Sequence, residues 1–196
     1  MTDEQLIEGI LKNDEASFKT LVDKYQASVL NICYGFVRNA QNAEDITQEV
    51  FIEVYLSAGK FRKESKISTW LYRIAVNKSL NFIRDNKKRN LIKNIENFFL
   101  SEQKNEIQIA DENENNFEED YETRLKILYK AIDSLSENQK TAFTLGKIEK
   151  LSYAEISEIM NISLASVEGL IHRAKKNIQK KILKNYQKNK DKNRKF

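Results

Sequence analysis

Apolar residues recur at three- and four-residue steps through most of this chain, and the places where that rhythm stops divide it. From Leu6, Ile7, Ile10 and Leu11 through Phe18, Leu21, Val22, Tyr25, Val29 and Ile32, the spacing predicts amphipathic helices in succession. A further helix, Ala43 to Ala58, puts Ile46, Val50, Phe51 and Val54 on one face and leaves Glu44, Asp45, Gln48, Glu49 and Glu53 as an acidic surface. Gly59 is its expected stop. The aperiodic stretch GKFRKESKI reads as a loop, after which Ser68 can cap a helix carrying Trp70, Leu71, Ile74, Ala75, Leu80 and Ile83. Periodicity is lost from Asn94 to Thr123, where acids dominate and too little apolar surface is available to order the segment. It resumes at Leu125, Leu128, Ile132, Leu135, Phe143 and Leu145.

The most informative segment runs from Leu151 to Lys176. Ser152 with Glu155 three residues on has capping-box spacing, and Ile156, Ile159 and Met160 form an apolar stripe, so a short helix is expected over about 153–160. Asn161 tolerates the left-handed backbone that a sharp turn needs, and Ile162 can plug the corner. Ser163 can cap a second helix that turns Val167, Leu170, Ile171 and Ala174 inward. Ala165, Ser166, Glu168, Gly169, His172, Arg173 and Lys176 then face out, small residues first and cationic ones last. That order suits a helix entering a major groove by its N-terminus, so the segment reads as a DNA-binding helix-turn-helix; the plainer alternative is a helical hairpin with a solvated basic end. Gly169 in mid-helix costs roughly 0.5–1 kcal/mol relative to Ala, and either close backbone approach or drift accounts for it.

Charge sharpens this picture. The net charge of +4 conceals a segregation: residues 165–196 hold 11 Lys/Arg against 2 Asp/Glu, while 94–124 hold 2 against 10. A basic end beginning on the outward face of the second helix is what phosphate-directed, salt-dependent binding requires. The absence of Pro and the scarcity of Gly favour an all-helical chain. One cysteine, Cys33, rules out an internal disulfide and, set among Leu30, Ile32 and Phe36, reads as a buried inert thiol. One His excludes a His-rich metal cluster, and no nucleophile–base pair, metalloprotease spacing or Gly-rich phosphate loop is present, so neither catalysis nor a cofactor is expected. Without a basic leader or a run of about 18 apolar residues, the expectation is a soluble cytoplasmic protein with no membrane insertion.

Two further stretches carry a family resemblance. AEDITQEVFIEVY at 43–55 and STWLYRIAVNKSLNFIR at 68–84 resemble region 2 of bacterial sigma factors, and the helix-turn-helix near the C-terminus lies where region 4 would. The chain is similar to the small extracytoplasmic-function type, which has only regions 2 and 4. The resemblance implies an all-α fold of two small helical domains joined by an acidic flexible linker. The expected division is region 2 at 1–93, linker at 94–123, region 4 at 124–185 and a basic tail at 186–196.

The resemblance also implies roles. Asp45, Gln48, Glu49 and Phe51 would bind the clamp helices of the largest subunit of core RNA polymerase, and region 4 would bind the flap of the second-largest. Lys60, Phe61, Arg62 and Lys63 in the loop, with Trp70, Tyr72, Arg73, Asn77, Asn81 and Arg84 on the following helix, would capture and melt the −10 element of promoter DNA. Aromatic, Asn and Arg groups suit that task, since an unpaired base offers a face to stack on and an edge to hydrogen-bond. Trp70 is equally explained as core. Lys87, Lys88 and Arg89 would grip the backbone, which positions without specifying.

Ser163, Ala165, Ser166, Glu168, Gly169, His172, Arg173 and Lys176 would read the −35 element. Two departures from the family pattern stand out. The usual Leu-Pro at the start of region 4 is Leu135-Ser136, where Ser makes a good cap, and Glu168 on the recognition helix would repel phosphate but could accept from a cytosine amino group. Linker acids Glu112, Glu114, Glu118, Glu119 and Asp120 would imitate nucleic acid in polymerase channels. An anti-sigma factor is an implied partner, and the free chain is expected to be a monomer. The competing reading is a dimeric helix-turn-helix regulator binding paired operator half-sites.

Overall fold

Side-chain caps set the starts of most of the helices. The computed structural model describes residues 1–61, 63–100 and 118–193, with side chains described for 1–61, 63–89 and 122–187. Among the described residues all regular structure is helical: α1 (Asp3–Leu11), α2 (Glu15–Val37), α3 (Ala40–Ser57), α4 (Ile67–Leu100), α5 (Glu118–Asp133), α6 (Glu137–Lys147), α7 (Tyr153–Met160) and α8 (Leu164–Asn193). Thr2, Asp14, Asn39, Ser136 and Ser152 each accept a hydrogen bond from an amide in the first turn of the helix they precede. Those amides have no intrahelical acceptor, and each cap stabilises its helix by about 1 kcal/mol.

Several boundaries differ from expectation for local reasons. α3 starts at Ala40 because Asn39 caps it, accepting from the Asn42 amide. Gly59 does not stop α3 in a left-handed conformation; the chain tightens into a single 3-10 turn, Ala58–Lys60. α4 begins at Ile67, so Ser68 lies in its first turn rather than capping it. α4 also continues to Leu100 and α5 opens at Glu118, which makes both ends of the expected linker helical; Glu112, Glu114 and the rest of 101–117 lie outside the described residues. So do the last residues of the basic tail.

Packing groups the chain into two units. One comprises Met1–Ile83 and Ser136–Ala174, the other Arg84–Leu135 and Lys175–Phe196. In the first unit a continuous core is built from Leu6, Leu21, Val29, Ile32, Val50, Val54 and Leu71 together with Leu145, Ile156, Val167 and Ile171, all buried. Each fully buried aliphatic side chain contributes about 1.5–3 kcal/mol, so the inward stripes read from the sequence determine which face of each helix is left outside. The second unit holds the remainder of α4, α5 and the remainder of α8, with Ala131, Ile132, Leu135 and Ile178 buried.

The corner between α7 and α8 forms as its residues dictate. Ser152 and Glu155 complete a reciprocal capping box, and the bond from Ser152 holds the Glu155 carboxyl below its usual pKa. Asn161 closes α7 with φ 52° and ψ 50°, and the Ser157 hydroxyl donates to the Ile162 carbonyl, fixing the turn. We expect Asn161→Gly to leave unfolding free energy nearly unchanged and Asn161→Val to lower it by about 1–2 kcal/mol, measured by denaturant titration.

At the N-terminus α1 is tied to α2 by a charged cluster. Tyr25 Oη donates to Asp3 Oδ2 at 2.8 Å, and Lys24 pairs with the other carboxylate oxygen. Burial pushes the Asp3 carboxyl up, but the bonds from Lys24 and Tyr25 outweigh it and hold the group below its usual value. Burial, then the bond to Asp3, pushes the Tyr25 phenol up to about 12. A folded-state value above the unfolded one stabilises fully below the unfolded pKa and is lost as pH rises through the folded value. Stability should therefore fall as pH rises from about 10 to 12. Tyr25→Phe should flatten that fall, without abolishing it because Lys24 is raised too; unfolding curves at successive pH values measure it.

Candidate nucleic-acid interface

Three outward faces carry the chemistry expected from the sequence. On α3, Asp45, Gln48 and Glu49 are exposed. Gln41 donates to Asp45 at 3.3 Å, and Lys78 of α4 lies 3.7 Å from Glu49 and 3.8 Å from Glu53. Phe51 is 6% exposed and belongs to the core, which corrects its place in this set: a ring so buried supports the helix from within and is not offered to a partner. Sequence reading missed the exposed apolar residues Ile52, Tyr55 and Leu56 beside the acids, with Leu11 exposed as well. Ile52 and Leu56, four apart and off the buried stripe, were the available signal.

The second face is the loop and the outer side of α4. Phe61 packs on Trp70 with ring centroids 5.2 Å apart, and both are half-buried, so Trp70 anchors the loop. Lys60 is exposed, and Lys63, with φ 59°, pairs with Glu8 at 3.1 Å across two exposed side chains. Arg62 lies outside the described residues. Arg73, Asn77 and Asn81 are exposed at four-residue steps, a polar stripe on one face of α4. Arg84, Lys87, Lys88 and Arg89, in the second unit, are exposed too.

Tyr72 is 8% exposed, and burial pushes its phenol up. In this arrangement it faces inward. Arg73, although exposed, is engaged: it donates from Nε to the Ile159 carbonyl at 3.1 Å and from Nη2 to the Glu158 carbonyl at 2.7 Å. A cleft of about 330 Å³ beside it is lined by Asn77, Asn138, Met160 and Asn161, among others.

The third face is on α8. Ser163 serves as the cap, accepting from the Ser166 amide at 3.2 Å, and its hydroxyl is 2.8 Å from that of Ser166. Ala165, Ser166, Glu168, His172, Arg173 and Lys176 are exposed while Val167, Ile171 and Ala174 are buried. A Cβ added at Gly169 would meet only the Arg173 guanidinium, at 3.7 Å and 3.9 Å, so packing within the chain does not require glycine there.

Cys33 is buried, and burial pushes its thiol up, as an inert core group should be. Among the described residues no group of three or more His, Cys, Asp or Glu could hold a metal ion. No described helix is long and apolar enough to cross a membrane.

A helix-turn-helix presenting small and cationic side chains, joined in one chain to a helix with an Arg–Asn stripe, defines a DNA-binding transcription protein. Comparison with known proteins narrows the class. Residues 21–89 match the family Sigma-70 region 2, and residues 125–178 match Sigma-70, region 4. The chain is 33% identical over 187 residues to the ECF RNA polymerase sigma-E factor of Haemophilus influenzae, covering 93% of this chain and 96% of that one. It is 34% identical to the protein of the same name in Escherichia coli, covering 93% and 95%, and 32% identical to the RNA polymerase sigma-H factor of Pseudomonas aeruginosa, covering 91% and 92%.

Among solved structures the fold is similar to CnrH in complex with the cytosolic domain of CnrY, with a TM-score of 0.63 at 17% identity, covering 90% of this chain and 94% of that one. It is also similar to the sigma factor RpoE in complex with the anti-sigma factor NepR from Bartonella quintana, at 0.55 and 19%, covering 85% and 96%. The chain belongs to the extracytoplasmic-function (ECF) family of RNA polymerase sigma factors, and it is a promoter-directing subunit. Members of this family are non-enzymatic initiation factors.

Because no described residue needs glycine at 169, Gly169→Ala should raise stability by about 0.5–1 kcal/mol in denaturant unfolding.

Proposed function

We propose that the chain binds core RNA polymerase through the exposed face of α3 and directs initiation by holding the −10 element on the loop and α4 and the −35 element on α8. What carries this reading is the exposed stripe Arg73, Asn77 and Asn81 on α4, set on the same chain as the exposed recognition face of α8. Asp45, Gln48 and Glu49 meet the clamp helices of the largest subunit, with Ile52 and Leu56 supplying apolar area beside them. Phe61, backed by Trp70, and the Asn side chains of α4 hold an unstacked strand by stacking and hydrogen bonds. Lys87 and Lys88 contact phosphates and set the register.

On α8, Ala165, Ser166 and Gly169 let the helix approach bases closely, while His172, Arg173 and Lys176 supply donors and positive charge. Glu168 accepts from a cytosine amino group, a choice that also repels neighbouring phosphates and so narrows the promoters accepted. The helix-turn-helix unit meets the flap of the second-largest subunit. The chain works in the cytoplasm without catalysis or a cofactor: binding free energy replaces the stacking lost when DNA opens. An anti-sigma factor is its natural antagonist, as the RpoE–NepR complex illustrates for a protein of this fold.

The test separates the faces. Asp45→Ala with Glu49→Ala should weaken co-purification with sigma-free core polymerase by at least tenfold. Arg173→Ala should leave that association intact and erase upstream protection in a promoter footprint, at a cost of about 1–3 kcal/mol in DNA affinity. Loss of core binding by Arg173→Ala, with none by the acidic pair, would reverse these assignments.

A further inference from the structure

The match to region 4 ends at residue 178, but α8 continues without a break to Asn193. The stretch around and beyond that end is cationic: from Gly169 to Lys190 the chain has no Asp or Glu. Within the second unit Ile178 is buried and Ile182, four residues on, is half-buried, so one side of α8 is committed inward. Lys176, Lys180 and Lys184 recur at four-residue steps on the other side, and all three are exposed. No ion pair between described residues engages them.

Neither helix stability nor packing accounts for this row. Like charges four residues apart repel one another and weaken a helix. The helix dipole favours cations only in the last turn, and Lys184 is still more than two turns short of Asn193. A line of anions beside the helix would remove the repulsion, and the backbone of a nucleic acid is such a line. Along α8, Lys180 and Lys184 lie about 22 and 28 Å beyond Ala165, farther than the roughly 12 Å width of a major groove. A helix that enters the groove by its N-terminus therefore holds them at the sugar–phosphate rim and away from base edges. Leu183 and Tyr186 are exposed beside the row, a mixture that an anionic lipid surface would also suit. An interfacial helix gives its whole apolar face to lipid, however, whereas Ile178 and Ile182 are already committed to the protein and leave only that pair.

We propose that Lys180 and Lys184 form a phosphate-binding track for the duplex DNA flanking the −35 element, lengthening the contact of α8 beyond the bases it reads. The placement of the track on the promoter rests on the −35 reading above; its affinity for phosphate does not. Contacts of this kind carry no sequence information. They hold register and add affinity that salt removes, so they tighten every promoter alike and leave the choice among promoters to Glu168, His172 and Arg173.

The full-length chain bound to core polymerase tests this through the salt dependence of its affinity for a promoter, and for the same DNA with its −35 element scrambled. Each neutralised phosphate adds about 0.9 to the slope of log affinity against log salt, so Lys180→Gln with Lys184→Gln should lower that slope by about 1.8 on both templates. The loss of affinity is then about twelvefold greater at about 50 mM salt than at about 200 mM. Lys180→Arg with Lys184→Arg should keep the full slope. Lys12→Gln with Lys19→Gln removes the same charge from exposed positions near the N-terminus and should leave the slope unchanged. A full slope in the Lys180→Gln, Lys184→Gln protein would overturn the track, and so would an equal fall in the charge-matched control, which would make the effect one of net charge. Vesicles of phosphatidylglycerol and phosphatidylcholine should not retain the free chain through these lysines; loss of vesicle binding with the full slope kept would assign the row to a membrane instead. If Arg173→Ala leaves preference for the intact −35 element unchanged while the two lysines still set the slope, the −35 assignment falls, the track's placement falls with it, and the phosphate contact stands.

Discussion

Each helix of the first unit commits one face to a common apolar core, and that commitment determines which side chains the protein can present. Val50 and Val54 turn α3 so that Asp45, Gln48 and Glu49 point outward; Leu71 and Ala75 do the same for Arg73 and Asn77 on α4; Val167, Ile171 and Ala174 do it for Ser166, His172 and Arg173 on α8. With about 1.5–3 kcal/mol resting on each large buried aliphatic side chain, rotating any one of these helices to present different residues would cost more than surface contacts could return. The outward chemistry is thus a consequence of the inward packing.

Much of this was legible in the sequence, and the exceptions have physical causes. The segment 153–161 was readable almost to the residue because its signals are local: a capping Ser with Glu three later, and an Asn that tolerates a left-handed backbone. Phe51 was misplaced because an aromatic beside an acidic face fits a binding role as well as a core one, and only its position against α3's neighbours distinguishes them. The start of α3 was hidden because Asn39 caps it ahead of the first apolar residue. Packing of the helix-turn-helix with the N-terminal helices in one unit was not legible either. It depends on pairs such as Gly35 with Thr144 and Arg73 with Ile159, more than 80 residues apart in both cases, which periodicity does not register.

Function in such a chain is a matter of competing contacts rather than chemistry. Arg73 bonds helix carbonyls and Glu49 lies beside Lys78, contacts that any other partner of either residue would have to displace. An exposed ion pair such as Glu49–Lys78 is worth about 0–1 kcal/mol, weak enough to be exchanged. On the proposed reading, a subunit that binds polymerase and then DNA, and afterwards lets go, is suited by a contact of that size.

The central claim, that this chain directs promoter choice, is most directly tested by reconstituted transcription. Purified sigma-free core polymerase would be incubated with fragmented DNA from the source genome, with and without the protein, and RNA 5′ ends mapped. The account predicts a small set of new start sites preceded by shared −35 and −10 elements. The same scattered initiation with and without the protein would contradict it.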